Sequence, residues 1–148
     1  ILRGLVGSEM CIRDRGRSIS ISGDTIYDKN LVTNSKNVDV LFHESMSLEL
    51  LDLINKQAKK TNNYLMDKIT IDILDYHTPI LDVVKAANEA NVKHLVFYHH
   101  LPAPRNQLME NVMYRGVDEI RDGWTASHDG TMVILPIDST EIIVSSVE

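Results

Sequence analysis

Ser18-Ile19-Ser20-Ile21-Ser22-Gly23-Asp24-Thr25 (SISISGDT) is the stretch on which the fold turns. Polar and apolar residues alternate over its first five positions, the period of a half-buried strand. A glycine then permits a turn, and a carboxylate follows at once. An aspartate at the end of a strand has two readings. It can be a turn residue whose side chain bonds nearby amides, or it can be a ligand. What else the chain brings to the same sheet edge decides between them.

Outward from that strand, helical and extended patterns alternate. VDVLF (residues 38–42) is apolar enough for a strand buried on both faces. Residues 48–60 have helical spacing at Leu50, Leu53, Ile54 and Gln57, and the pattern runs on through Leu65, Ile69 and Ile73. The clearest helix begins at Pro79, with Thr78 as its expected cap. There Ile80, Val83, Val84 and Ala87 form one buried face. A strand is predicted over 93–98, ended by LPAP, and a weaker helix over 107–115. HDG at 128–130 predicts a hairpin turn between WTAS and TMVILP, and TEIIVSS predicts an edge strand. The sum is a layered α/β domain, in which ligands usually sit beyond the carboxyl ends of the strands. Three strands end in chemistry: Asp24, His43-Glu44 and His99-His100. His77 stands just before a helix.

The chain has 148 residues, 43% hydrophobic and 24% charged, an ordinary globular composition with room for a core. No apolar run approaches the ~20 residues of a membrane span, and there is no internal repeat. Residues 1–15 do not match the rest. LVGSEMCIRD within them resembles a translated transposase sequencing adapter, so this segment is set aside as non-native and the domain is taken as 16–148. The single cysteine, Cys11, goes with it, which leaves no disulfide and no thiolate metal site. The remaining 12 basic and 19 acidic residues give a net charge of −7 without a basic stripe, unlike a nucleic-acid surface.

Taken singly, each candidate residue has a plain structural reading. Asp24 suits a turn. Neighbours on a strand face opposite ways, so one of His99 and His100 would be packed and the other exposed. His43-Glu44 suits a solvated loop, or else a carboxylate that orients a histidine. His77 suits a helix entrance, where the helix dipole favours its neutral form. His94 and His128 read as structural or exposed.

Taken in order, SGDT, VDVLFHES, HT before a helix and VKHLVFYHHLP resemble the C-terminal half of the metallo-β-lactamase superfamily. The nearest branches are the ribonuclease Z-like and arylsulfatase-like hydrolases, and the resemblance covers nearly all of residues 18–136. It implies half of a four-layer αββα sandwich with two zinc ions held between the halves. It implies that Asp24 bridges both ions and that His99, not His100, binds the second. It also implies that His77 assists the leaving group, and that Glu44 and His43 form an acid–base relay. The family's HxHxDH motif is absent from these residues and is expected upstream, with the other half of the domain.

The function implied is metal-dependent hydrolysis of a small phosphate or sulfate ester. Transfer-RNA cleavage of the ribonuclease Z kind is the alternative, and the only one that brings in nucleic acid. LPAPR in place of an SxRY-like stretch, together with the acidic charge, speaks against it. A metal-free α/β binding or assembly module is a further alternative. The expected partners are a small ester substrate and, through self-association, a second copy of the chain. Cytoplasmic and periplasmic locations both stay open.

Overall fold

A computed structural model of the chain describes residues 10–147. Residues 1–9 of the adapter-like segment lie outside them. Its remainder, β1 (Met10–Asp14), pairs antiparallel with β2 (Arg17–Ile21) as an edge strand exposed at all five positions.

The elements continue as α1 (Lys29–Asn34), β3 (Val40–Met46), α2 (Leu48–Lys60), α3 (Tyr64–Asp72), a 3₁₀ turn (Ile73–Asp75) and α4 (Ile80–Glu89). Then come β4 (His94–Leu101), α5 (Gln107–Met113), β5 (Trp124–Ala126), β6 (Thr131–Ile134) and β7 (Ile143–Ser146). The main sheet has the order β1-β2-β3-β4-β5, parallel from β2 onward. Strands added in one direction by right-handed crossovers keep every helix on one face. Accordingly Leu31 of α1, Leu50 of α2, Val83 and Val84 of α4 and Met113 of α5 share one core with Leu41, Leu95 and Phe97 of the sheet.

The opposite face carries Ile19, Val40, Phe42 and Val96. Val40 and Val96 are fully buried, while Ile19 and Phe42 are half-buried. Residues 135–141 lie against its β1–β2 edge. There the Arg17 guanidinium donates to the carbonyls of Pro136, Ser139 and Glu141 and meets Asp39 at 3.4 Å. Lys93 completes the cluster on Asp39 at 2.7 Å.

Several local expectations are corrected. The helix from 48 stops at Lys60 because Asn62 turns left-handed (φ 54°) and Asn63 caps a new helix through Met66 N. Thr78 does not cap α4: its hydroxyl donates to the Thr25 carbonyl, and Pro79 occupies the cap position with no side-chain bond. β4 runs three residues further than predicted, through both histidines. WTA and TMVI do not form a hairpin: β5 joins the main sheet beside β4, and β6 pairs with β7 in a sheet of two. The short helix α1 carried too few residues to show a period.

Candidate functional site

β2, β3 and β4 run parallel, so their carboxyl ends share one edge. The chain leaves β2 at Ile21 and bends at Asp24. Here Asp24, His77 and His99 meet: each offers one ligand atom, and these atoms lie within 4.8 Å of one another. His99 Nδ1 stands 2.9 Å from Asp24 Oδ1. The rings of His77 and His99 meet edge to face with centroids 5.4 Å apart. Asp24 and His99 are exposed, whereas His77 is only 4% exposed.

A β-bulge separates the two neighbouring histidines of β4. Tyr98 pairs with Glu44 and His100 with Ser45, which leaves His99 as the extra residue, at φ 45°. A bulge re-aims a side chain that regular alternation would send elsewhere. His99 thereby turns to Asp24. His100 is spent on the scaffold: its Nε2–H donates to the Ser127 carbonyl at 2.6 Å, and its Nδ1 accepts from the Tyr114 hydroxyl at 2.6 Å. Ser45 Oγ stands 3.0 Å from the same nitrogen. Burial holds the His100 imidazole below its ordinary pKa, so these bonds fix the neutral ring.

Glu44 and His43 part company. Glu44 is fully buried beside His77, and its Oε1 accepts from the Thr78 amide at 2.6 Å. Its Oε2 lies 3.4 Å from His77 Nδ1. Neither of those two atoms has a hydrogen-bond partner among the described residues. Burial pushes the Glu44 carboxyl up to about 7, with the amides of Thr78 and Thr25 opposing it. Burial also lowers the His77 pKa, while the Asp24 charge raises it. His43 sits in register with Phe97, two residues from Leu41, and both neighbours belong to the helical core. Its Nδ1 donates to the Glu44 carbonyl at 2.8 Å, and burial pulls its pKa down to about 4. The structure does not bring His43 to the cluster.

Sequence reasoning missed Tyr98, whose hydroxyl donates to the Ser22 carbonyl and ties β4 to the chain leading into Asp24. It also missed Tyr114, because nothing in the chain pattern links a residue after α5 to His100.

The donor set fits a zinc ion. Zinc takes imidazole nitrogens and carboxylate oxygens at ~2.0–2.2 Å, which places neighbouring donors on a tetrahedron ~3.3–3.5 Å apart. The trio's separations, from 2.9 Å to at most 4.8 Å, bracket that value.

No protein-family model matches the chain. Among curated proteins, it is 34% identical to a ribonuclease Z from Halalkalibacterium halodurans over 86 residues, which is 57% of this chain and 22% of that one. It is 29% identical over 92 residues to a putative ribonuclease Z from Mycobacterium tuberculosis, 62% of this chain and 36% of the relative. The chain therefore spans about a fifth to a third of the curated relatives it matches. Among solved structures, the metallo-β-lactamase fold protein YhfI from Bacillus subtilis superposes with a TM-score of 0.54 at 15% identity, over 80% of this chain and 39% of that one. The parallel sheet with helices on one face and the superposition on YhfI give the chain part of a metallo-β-lactamase fold, and over part of its length its sequence is similar to ribonuclease Z.

Proposed function

We propose that the chain contributes half of the active site of a zinc-dependent hydrolase acting on a phosphate or sulfate ester. The observation that carries this reading is the convergence of Asp24, His77 and His99 at the carboxyl edge of the sheet. Zinc there would supply Lewis-acid polarisation of the ester and a nucleophile at neutral pH. Asp24 and His99, exposed and 2.9 Å apart, are the pair that would hold it. Asp24 alone has the two oxygens needed to serve a second ion, whose other ligands would come from outside this trio.

His77 does a different task. Its Nδ1 faces the buried Glu44 carboxyl, so one proton between them fixes the ring and leaves Nε2 for the substrate. From that nitrogen His77 would bind an ester oxygen or return a proton to the leaving group. Such acid–base assistance typically contributes ~10²–10⁴-fold. Glu44 acts through His77 as a positioning residue, in the way a carboxylate sets the tautomer of a histidine.

Ribonuclease Z activity is the second reading, favoured by the names of the curated relatives. The acidic balance of residues 16–148 weighs against a transfer-RNA substrate.

The test is turnover by the full-length protein of bis(p-nitrophenyl) phosphate, p-nitrophenyl sulfate and precursor transfer RNA, before and after chelation. The reading expects chelator-sensitive hydrolysis of one of the small esters, restored by zinc. Cleavage of RNA alone would favour the second reading. No chelator-sensitive turnover of any substrate would leave a metal-free binding module.

A further inference from the structure

Between α2, α3 and the segment that follows β4 lies a cavity of about 740 Å³. Met66, Ile69 and Ile73 follow one another at i, i+3 and i+7 and turn one apolar stripe toward Ile54 of α2. Leu101, the last residue of β4, also lines it. Helices usually bury such a stripe. Here Met66 and Ile69 stay 38% and 40% exposed. The volume falls within the range of small-molecule sites, which are mostly apolar with few polar groups.

The cavity adjoins the metal-binding edge through both of its walls. Leu101 is two residues beyond His99, at most ~7 Å along a strand. Ile73 is four residues before His77, at most ~14 Å along the chain. Arg105, exposed, is the one cation in its lining among the described residues.

We propose that this groove receives the apolar organic group of an anionic ester whose head reaches Asp24, His77 and His99. This rests on the hydrolase reading above and narrows its substrate to esters that carry an alkyl or aryl group. A ligand spanning both places gains affinity from each methylene that enters the groove, roughly threefold to fourfold per group.

The test is titration of the full-length protein, with zinc, by n-alkyl phosphates from ethyl to octyl and by the matching n-alcohols. Methyl chemical shifts of Ile54, Met66 and Ile69 are followed. Affinity is expected to climb about threefold per methylene, with shifts at those methyls. Met66→Glu and Ile69→Glu change exposed positions, with folding checked by circular dichroism. Each should weaken octyl phosphate binding at least tenfold. A flat dependence on chain length, or one that survives both substitutions, overturns the proposal. So do concentration-dependent shifts of the same methyls without ligand, lost in Ile69→Glu, which would give the groove to a second copy of the chain. Equal affinities of alcohol and phosphate at every chain length would keep the apolar pocket and overturn instead the ester reading of the metal site.

Discussion

His77 Nδ1 and Glu44 Oε2 face each other at 3.4 Å, both buried and neither with another hydrogen-bond partner among the described residues. A buried polar atom without a partner costs ~1–3 kcal/mol, so two placed face to face are held for each other. The pair needs one proton. Burial pushes the carboxyl up to about 7 and pulls the imidazole down, so it favours the uncharged form of each.

Glu44→Gln separates fold from function at this pair. The amide oxygen can still accept from Thr78 N–H, but the amide nitrogen would donate to His77 Nδ1 and force the opposite tautomer. Urea unfolding of the chain should stay within ~1 kcal/mol of wild type. Turnover by the full-length protein should fall ~10–100-fold. Glu44→Ala, which strands the Thr78 amide, should cost ~1–3 kcal/mol of stability in the same urea experiment.

His77→Ala in the full-length protein should cut turnover ~10²–10⁴-fold while zinc content, by elemental analysis, stays as in wild type. Zinc lost together with activity would make His77 a ligand, an outcome its proximity to Asp24 and His99 makes worth measuring.

His43 gives the fold a pH dependence. Its pKa is about 4 when folded and near ~6.5 when unfolded. Between those values the unfolded chain binds more protons, so stability rises with pH and is lost as pH falls from about 6.5 toward about 4. His43→Leu removes that component. Urea midpoints at pH 7 and pH 4.5 should therefore differ less in the variant than in wild type. An equal difference in both proteins would show that His43 does not titrate in this window.

His100 and Tyr114 test the scaffold behind the bulge. Tyr114→Phe leaves Ser45 Oγ at 3.0 Å from His100 Nδ1, so it should cost only ~0.5–1.5 kcal/mol. His100→Phe strips the Ser127 carbonyl of its partner and leaves the Tyr114 hydroxyl only Ser45 Oγ at 3.4 Å, and should cost more in thermal or urea unfolding. The reverse order would mean that Tyr114, not His100, anchors this part of β4.

The chain expressed alone should bind zinc weakly, because Asp24 and His99 supply two ligands where zinc takes three or four from protein. Ile19, Phe42 and many exposed apolar side chains should also drive self-association. Light scattering and zinc titration check both. A monomer with tight zinc binding would contradict them.

Strands β2, β3 and β4 and their order of chemistry were legible because alternation and apolar runs are local signals. Helix α2 was legible for the same reason, from its start at Leu48. The break at Asn62-Asn63 was legible in principle, since two asparagines suit a left-handed turn and a cap, but a continuing apolar period masked it. The placement of β6 was not legible: a turn sequence says that the chain reverses, not which sheet the next strand joins. The meeting of Asp24 with His99 followed only from the family resemblance. Alternation cannot choose between His99 and His100, and the bulge that does so depends on the pairing partner, β3. His43 and Glu44 show the converse. As strand neighbours they had to face opposite ways, and treating them as a loop hid that.

Arg17 reaches across more than a hundred positions of the chain. Its guanidinium is held by carbonyls 119 to 124 positions further on. On a ribosome adding ~5–20 residues per second, those carbonyls arrive about 6–24 s after Arg17 itself. During that wait Asp39, only 22 positions away, is the counter-charge within reach. The parallel core from β2 to β5 can close early from short-range crossovers. The strap at 135–141 can only be fastened once residue 141 has been made, and nascent chains stalled before residue 136 should keep the Arg17 edge open to chaperones.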